Sequence, residues 1–456
     1  MLLLAGFRWN AWRAASDGFF AGSQADTEGL VFGRLAWSRD HGPFSSGGLL
    51  GFVGAGPALV SFDSVDLWLS RRYEGQREAF LGEMPVRSFS PYFSHSGLQG
   101  WAFTALDSLL RTIPASRRED VFRFVTAAGV ALAGTLLILF LWRELGAAAA
   151  FGCFAILVSS AWLASLGRNL YWNLWVFLLP ALVIGAWLAR ASARGQRKGG
   201  WTFAAVAYSA ILARCLCGYE YATAWAAMAA VPVVYLAVRD GWPARMFAAR
   251  VGLLALAGIA AFCSSLALLT FQIGAVTGSA RDAAAHLRLA AARRTSGEAS
   301  ALPPVYAQAL RARTSDILKS YFGDPYDRES GRARVSLIRW LRSRSYGALC
   351  LVILAAAAWA ILRSLGRGEG PQAIRYRRAL GLAAATLCAF VGVLAWLVVF
   401  KAHSFFHGHV NPVMWHLFFL PLGGALTAWA IADAAGEVAR RLFRMPSESG
   451  SDTPSA

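Results

Sequence analysis

Apolar residues fall in long blocks along the chain, at 121–142, 147–166, 172–189, 201–218, 220–238, 249–273, 346–362, 379–400 and 412–432. Each block approaches the roughly 20 residues that a helix needs to cross about 30 Å of hydrocarbon. Backbone polar groups in lipid must find partners within their own segment, so blocks of this length predict helices. The pattern predicts an all-α, polytopic transmembrane protein with nine spans, or ten if the N-terminus supplies one. Residues 1–22 begin with an apolar run and turn polar at Arg8, Asn10 and Arg13. They are short and charged for a span and lack a small-residue cleavage site, so they read as the remnant of a first transmembrane helix.

Two polar regions interrupt the apolar blocks. The first, 23–120, holds a helical pattern from Thr27 to Arg39, with Asp26 and Glu28 in its first turn, where the helix dipole favours acidic residues. A glycine-rich loop follows at 42–51. Residues 98–113 then read as an interfacial helix lying on the membrane. The second polar region, 281–345, contains helical patterns from Ala283 to Arg294 and from Tyr306 to Tyr321. Segments 121–280 and 346–433 carry the spans. Residues 434–456 form a tail whose Ser/Glu/Asp/Pro-rich end predicts disorder.

Composition agrees with a membrane protein: 57% of residues are hydrophobic, 15% are charged, and mean hydropathy is +0.45. A soluble domain carries charge at about a quarter of its positions. The net charge of +18 suggests a nucleic-acid partner until its distribution is read. Basic residues gather at alternate span ends: Arg190, Arg194, Arg197 and Lys198; Arg239, Arg245 and Arg250; Arg363, Arg367, Arg375, Arg377 and Arg378; Arg440, Arg441 and Arg444. Short basic loops mark the cytoplasmic side, so the charge records topology and contact with anionic lipid, and no nucleic acid is expected. Counting back from the tail puts 23–120 and 281–345 outside. The arginines of 281–345 run against that placement, but long segments obey the charge rule poorly.

Six cysteines, at 153, 215, 217, 263, 350 and 388, fall within or beside the spans, so no disulfide framework is implied. Cys215 and Cys217 read as buried apolar residues, since their spacing alone makes no zinc site.

Four groups of residues carry candidate chemistry, and each has a plainer reading. Asp26 suits N-capping of the helix behind it, and Glu28 suits the helix dipole. Together they are also candidates to hold a divalent cation. The run from Lys401 to Asn411 places one Lys, three His and an Asn at an exported span end. Lys401 with His403 and His407 would cradle a phosphate, or anchor the chain at the interface. His403 and His407 share a helix face, but no carboxylate lies near them in sequence to complete a metal site. Arg168 lies at another exported end, where the positive-inside rule disfavours it, which suits phosphate contact. Arg214, Tyr219 and Glu220 share a turn and suit mutual pairing.

Asp26-Thr-Glu28 followed by Gly33-Arg34-Leu35 and Asp40-His-Gly42 resembles the first exported loop of the GT-C superfamily of membrane glycosyltransferases. The nearest pattern is that of lipid A aminoarabinose transferases and protein O-mannosyltransferases. Ser94 to Gln99, leading into 101–110, sits where that family has its second loop and jaw helix. Leu141 to Gly146 resembles its cytoplasmic turn, and Leu166 to Trp172 its exported turn. The likeness covers about the first 190 residues and is architectural beyond them. The chain departs from the family in lacking a clear first transmembrane helix. It also has Gly97-Leu-Gln99 in place of a Pro-Pro pair.

The resemblance implies transfer of a sugar from a polyprenyl-phosphate donor to a lipid or glycan acceptor at the exported face of a bacterial inner membrane. Asp26 would be the base that takes the acceptor proton, assisted by Glu28. Arg168, Lys401, His403 and His407 would hold the donor phosphate. Tyr306, Tyr321 and the 324–327 cluster would belong to a covering loop. An O-antigen polymerase or ligase shares the many-helix plan and uses exported-loop arginines. A transporter is the non-enzymatic alternative, although charges near span ends rather than at mid-membrane disfavour it.

Overall fold

A computed structural model describes residues 1–58, 75–193, 200–295, 304–326, 344–365 and 370–442. The chain opens with α1 (Leu2–Trp9), α2 (Asp17–Gly22) and α3 (Ala25–His41), and then makes β1 (Gly51–Gly54). Helix α4 (Gln76–Leu81) precedes β2 (Ser88–Pro91), which pairs antiparallel with β1 so that Gly51 faces Pro91. Helix α5 (Leu98–Leu109) leads into the bundle, formed first by α6 (Ala115–Leu145), α7 (Ala147–Ser159), α8 (Ala161–Leu166) and α9 (Trp175–Ala193). It continues through α10 (Gly200–Cys217), α11 (Ala222–Arg239) and α12 (Ala244–Thr277). Three shorter helices follow: α13 (Ala280–Arg294), α14 (Pro304–Arg311) and α15 (Thr314–Gly323). The chain re-enters the bundle as α16 (Tyr346–Ser364) and α17 (Pro371–Val399), turns through α18 (Lys401–Phe406) and a π-helical turn (Trp415–Phe419), and leaves along α19 (Leu420–Leu442).

Eight of these helices are long and apolar enough to cross a membrane. The protein is therefore a multi-pass, helical membrane protein, with a two-stranded ribbon as the sheet among the described residues. The ninth expected span, 147–166, is broken. Ser160 takes an extended conformation between α7 and α8, and its Oγ accepts from Leu163 N at 3.0 Å. Beside it, Ser159 Oγ contacts Ile156 O at 3.1 Å and the Tyr326 hydroxyl at 2.8 Å. Serine hydroxyls that bond locally give the backbone an alternative to continuing the helix. Uniform hydropathy cannot reveal such a break.

The turns sort to two ends. At one, Glu144 accepts from Tyr235 Oη at 2.7 Å and Arg239 Nη1 at 3.0 Å, with Arg378 Nε at 3.4 Å. On α19, Asp433 accepts from Arg363 Nε at 3.0 Å and Tyr376 Oη at 3.1 Å. This arginine-rich end is the one that the positive-inside rule leads the sequence to expect in the cytoplasm. Arg194, Arg197, Lys198, Arg367, Arg444, Asp327 and the expected disordered tail lie outside the described residues. At the other end sit the described residues of 10–114, the turns at 167–174 and 218–221, helices α13 to α15, and 400–414, while α1 packs along α6 with Leu3 beside Gly134. The two polar regions thus cap one end of the bundle.

Helix α12 explains part of that cap. Its 34 residues span about 51 Å at 1.5 Å each, well beyond a 30 Å core. The excess rises into the outer region, where Gln272 Nε2 donates to Gly47 O at 2.8 Å and Ser96 O at 3.1 Å. Helix α3 packs on the ribbon: a Cβ at Gly33 would collide with the Gly51 carbonyl. Arg34, fully buried beside Gly33, donates to Pro43 O at 2.6 Å and Ser45 O at 2.7 Å, and so shapes the glycine-rich loop. Burial lowers its pKa to about 10.

The outer region differs from the sequence reading in three places. The ribbon was not expected, because four-residue strands rich in glycine, serine and proline carry weak periodicity. The pattern from Tyr306 to Tyr321 is two helices rather than one. Helix α6 starts six residues before its apolar block, where Arg118 and Glu119 form ion pairs with Asp107 and Arg77 of the cap. The six cysteines are free thiols.

Candidate functional site

Four segments converge at the outer end of the bundle. The turn 167–174 is the junction between them. Asn169 Oδ1 caps it, accepting from Tyr171 N at 2.9 Å and Trp172 N at 3.1 Å, while its Nδ2 donates to Gln24 O at 3.2 Å. The next residue, Leu170, donates its N–H to Glu28 Oε1 at 3.1 Å. On the other side of the turn, the Tyr171 hydroxyl donates to Glu220 Oε1 at 3.0 Å.

Two groups of polar residues therefore flank this turn. The first contains Asp26, Glu28 and Arg168. Both Asp26 and Glu28 lie in the first turn of α3, as the sequence predicts. Asp26 Oδ1 accepts from Thr27 N at 2.9 Å, and the side chain is half-buried. Glu28 is buried, and its Oε2 accepts from Arg123 Nη2 at 2.8 Å. The two carboxylates thus take different protein partners. Arg168 stacks on Phe20, 4.3 Å from the ring centroid. Burial, with help from nearby Arg123, lowers its pKa to about 10, so it stays a cation at neutral pH.

The second group is centred on Glu220. Its turn follows α10, from which Arg214 Nη1 donates to Gly218 O at 2.9 Å and Nη2 to Glu220 O at 2.8 Å. Arg214 and the Glu220 carboxylate are 3.8 Å apart, the pairing expected from sequence. Tyr219 turns away to Ser265 instead. Tyr221 adopts φ 59, a left-handed conformation that costs roughly 1–2 kcal/mol for an L-residue. Its buried ring is held between Trp172, 5.7 Å away, and Trp396, 5.3 Å away. That packing sustains the strain and fixes Glu220, whose side chain remains 20% exposed.

Behind Glu220 lies a hydrogen-bonded chain. His95 Nε2 is 3.1 Å from the Tyr171 hydroxyl. The single phenolic proton goes to Glu220, so His95 presents Nε2–H to the hydroxyl and leaves Nδ1 bare. That Nδ1 is buried without a partner among the described residues. Burial pushes the His95 pKa down to about 4, which keeps the ring neutral. Burial works against the Glu220 carboxylate, yet His95, Arg214 and the Tyr171 hydroxyl together hold its pKa below the ordinary value.

Glu220 also acts electrostatically on His407, one of the histidines of 400–411. His403 and His407 have ring centroids 4.2 Å apart, and His409 lies 5.7 Å from His407. Burial, then the neighbouring imidazole or imidazoles and the Arg294 guanidinium, depress His407 to about 4 and His403 further. Both rings are therefore neutral N–H donors at neutral pH. Arg294, in the last turn of α13, acts electrostatically on His95, His403 and His407 alike. Lys401 is half-buried and reaches the other way, donating to Ala312 O at 3.3 Å.

Of the expected phosphate ligands, the structure brings His403 and His407 together, while Arg168 sits with Glu28 on the far side of the junction turn. No group of three His, Cys, Asp or Glu among the described residues is arranged to hold a metal ion. The sequence reading did not single out His95, Arg294 or His409 as individual site residues. A histidine in a short loop between strand and helix was the available signal for His95. The site gathers a carboxylate, imidazoles and a guanidinium within electrostatic range of one another, which suits moving a proton beside a phosphate. No family model matches the chain, and no curated protein or solved structure matches it either.

Proposed function

We propose that this protein transfers a sugar from a polyprenyl-phosphate donor to a hydroxyl acceptor at the exported face of a bacterial inner membrane. The observation that carries this reading is the partly exposed Glu220 carboxylate, held by Tyr171 and within electrostatic reach of His407, at the end of the bundle away from the basic turns. A lipid-linked donor presents its phosphate at this depth, and guanidinium and imidazole N–H groups form charge-assisted bonds with it. The acceptor hydroxyl donates to Glu220. As the new carbon–oxygen bond forms, the anomeric carbon–oxygen bond to phosphate breaks and its electron pair leaves on the phosphate. The hydroxyl proton passes to Glu220. Tyr171 and His95 hold Glu220 in one rotamer, and Arg294 with the histidines receives the developing charge.

Asp26, the base implied by the GT-C resemblance, is the competing carboxylate. The test is transfer from a polyprenyl-phosphate sugar in proteoliposomes, comparing Glu220→Gln with Asp26→Asn. Loss of at least about 100-fold in Glu220→Gln alone supports this assignment. The same loss in Asp26→Asn alone moves the base to α3. Full activity in both variants overturns the transferase reading.

A further inference from the structure

The break between α7 and α8 borders a cleft that the proposed chemistry does not use. It holds about 130 Å³ and is lined by Trp162, Asp324, Pro325, Tyr346, Gly408, His409 and Pro412. Four segments that are distant in sequence build it. Trp162 comes from the first turn of α8 and is fixed edge-on by Phe19, with ring centroids 5.0 Å apart. Asp324 and Pro325 follow α15, and their backbone is tied to the start of α16: Tyr346 N donates to Asp324 O at 3.0 Å, and Pro325 bridges to Ser345. Tyr346 is buried, with its hydroxyl 2.8 Å from His416 Nε2. The fourth wall, 408–412, continues the histidine run of 403–407.

We propose that this cleft is a subsite for a single pyranose ring. Size and chemistry lead there together. A cavity of about 150 Å³ takes one benzene ring, so this open cleft can take one face of a six-membered ring, with the remaining sugar substituents at its mouth. An apolar lining would favour a hydrocarbon ring, but this one combines two aromatic side chains with a carboxylate and an imidazole. Aromatic faces accept the apolar C–H face of a sugar, while carboxylate and imidazole satisfy its ring hydroxyls. The choice of a sugar rests on the transferase reading. The location adds to it, since His409 lines the cleft and its ring lies 5.7 Å from His407. A ring seated here would lie beside the histidines at which the donor phosphate is placed.

The test uses the full-length protein in nanodiscs and saturation-transfer NMR with methyl α-mannopyranoside, methyl β-glucopyranoside and methyl β-galactopyranoside at millimolar concentration. Cyclohexanol serves as the apolar six-membered control. Gly408→Leu fills the cleft, and a Cβ at Gly408 meets only Tyr321 Oη, at 3.9 Å, so the site accepts a side chain. Asp324→Asn keeps the shape and removes the charge. At least one pyranoside should give a signal that falls about tenfold or more in Gly408→Leu and weakens in Asp324→Asn, with no cyclohexanol signal. Absence of pyranoside binding, an unchanged signal in Gly408→Leu, or equal binding of cyclohexanol overturns the subsite. Failure of the transferase reading looks different: pyranosides bind wild type and Glu220→Gln alike, yet no polyprenyl-phosphate sugar is turned over.

Discussion

The phenolic hydroxyl of Tyr171 donates to Glu220 Oε1 at 3.0 Å, joining the turn after α8 to the turn before α11. This one bond aligns a carboxylate with a histidine from the first polar region, while the other carboxylate oxygen lies 3.8 Å from Arg214 Nη2. Removing it tests positioning separately from chemistry. Tyr171→Phe should lower single-turnover transfer by roughly tenfold and flatten its pH profile, with donor KM unchanged. Glu220→Gln should lower it by at least about 100-fold. Equal loss in both would show that Tyr171 does more than orient Glu220.

Arg294 and Lys401 make separable contributions to the donor. A charge-assisted bond to phosphate contributes roughly 1.5–3 kcal/mol, equivalent to about 10- to 150-fold in affinity. Arg294→Ala should raise donor KM within that range and leave acceptor KM nearly unchanged. Lys401→Ala should have a smaller effect, because its ammonium is directed to Ala312 O. A larger loss in Lys401→Ala would place the phosphate nearer α18 than α13.

Glu28 and Asp26 should part company on stability. Glu28 is buried between Arg123 and Leu170 N, so Glu28→Gln leaves a half-buried guanidinium short of a charge, although Glu119 still pairs with it at 3.1 Å. The expected loss is about 2–3 kcal/mol, seen as a lower thermal midpoint in detergent. Asp26→Asn keeps a half-buried side chain of the same shape and should unfold as wild type does. A stable Glu28→Gln protein lacking transfer activity would restore Glu28 to the chemistry.

Stability should fall on mild acidification, and His95 is one cause. Its folded pKa of about 4 lies below the unfolded value near 6.5, so the unfolded chain binds the proton more tightly between those limits. The contribution is fully present above pH 6.5 and is lost as pH falls toward 4, up to roughly 3 kcal/mol. Thermal midpoints measured from pH 7 to pH 4.5 should drop less steeply for His95→Gln than for wild type. Parallel curves would assign the acid sensitivity to other groups.

Topology can be read by thiol labelling in intact cells. Ser315, exposed on α15, should react with an impermeant maleimide once changed to cysteine, after the exposed native Cys263 has been replaced. Ser192→Cys, near the end of α9, should stay protected until the membrane is opened. The reverse pattern would put the whole cap in the cytoplasm, away from any exported donor.

The sequence by itself determined that this is a helical membrane protein. Hydropathy blocks of bilayer length admit no other backbone solution, and eight of the nine became continuous spanning helices. The basic turns likewise placed the two polar regions at the same end. Local signals sufficed for α3, whose acidic first turn was legible in Asp26 and Glu28. Tertiary structure alone decided what those carboxylates meet, because Glu28 finds Arg123 and Leu170 across 95 and 142 residues of chain. It also decided that Glu220, which in sequence is only a turn residue pairing with Arg214, joins His95 through the Tyr171 hydroxyl and acts electrostatically on His407. The break at Ser160 belongs with these, since its partner Tyr326 lies 167 residues from Ser159. Burial in lipid is a property of composition and can be read along a line. Convergence of polar groups depends on how helices of similar hydropathy pack against one another, and no single segment encodes that.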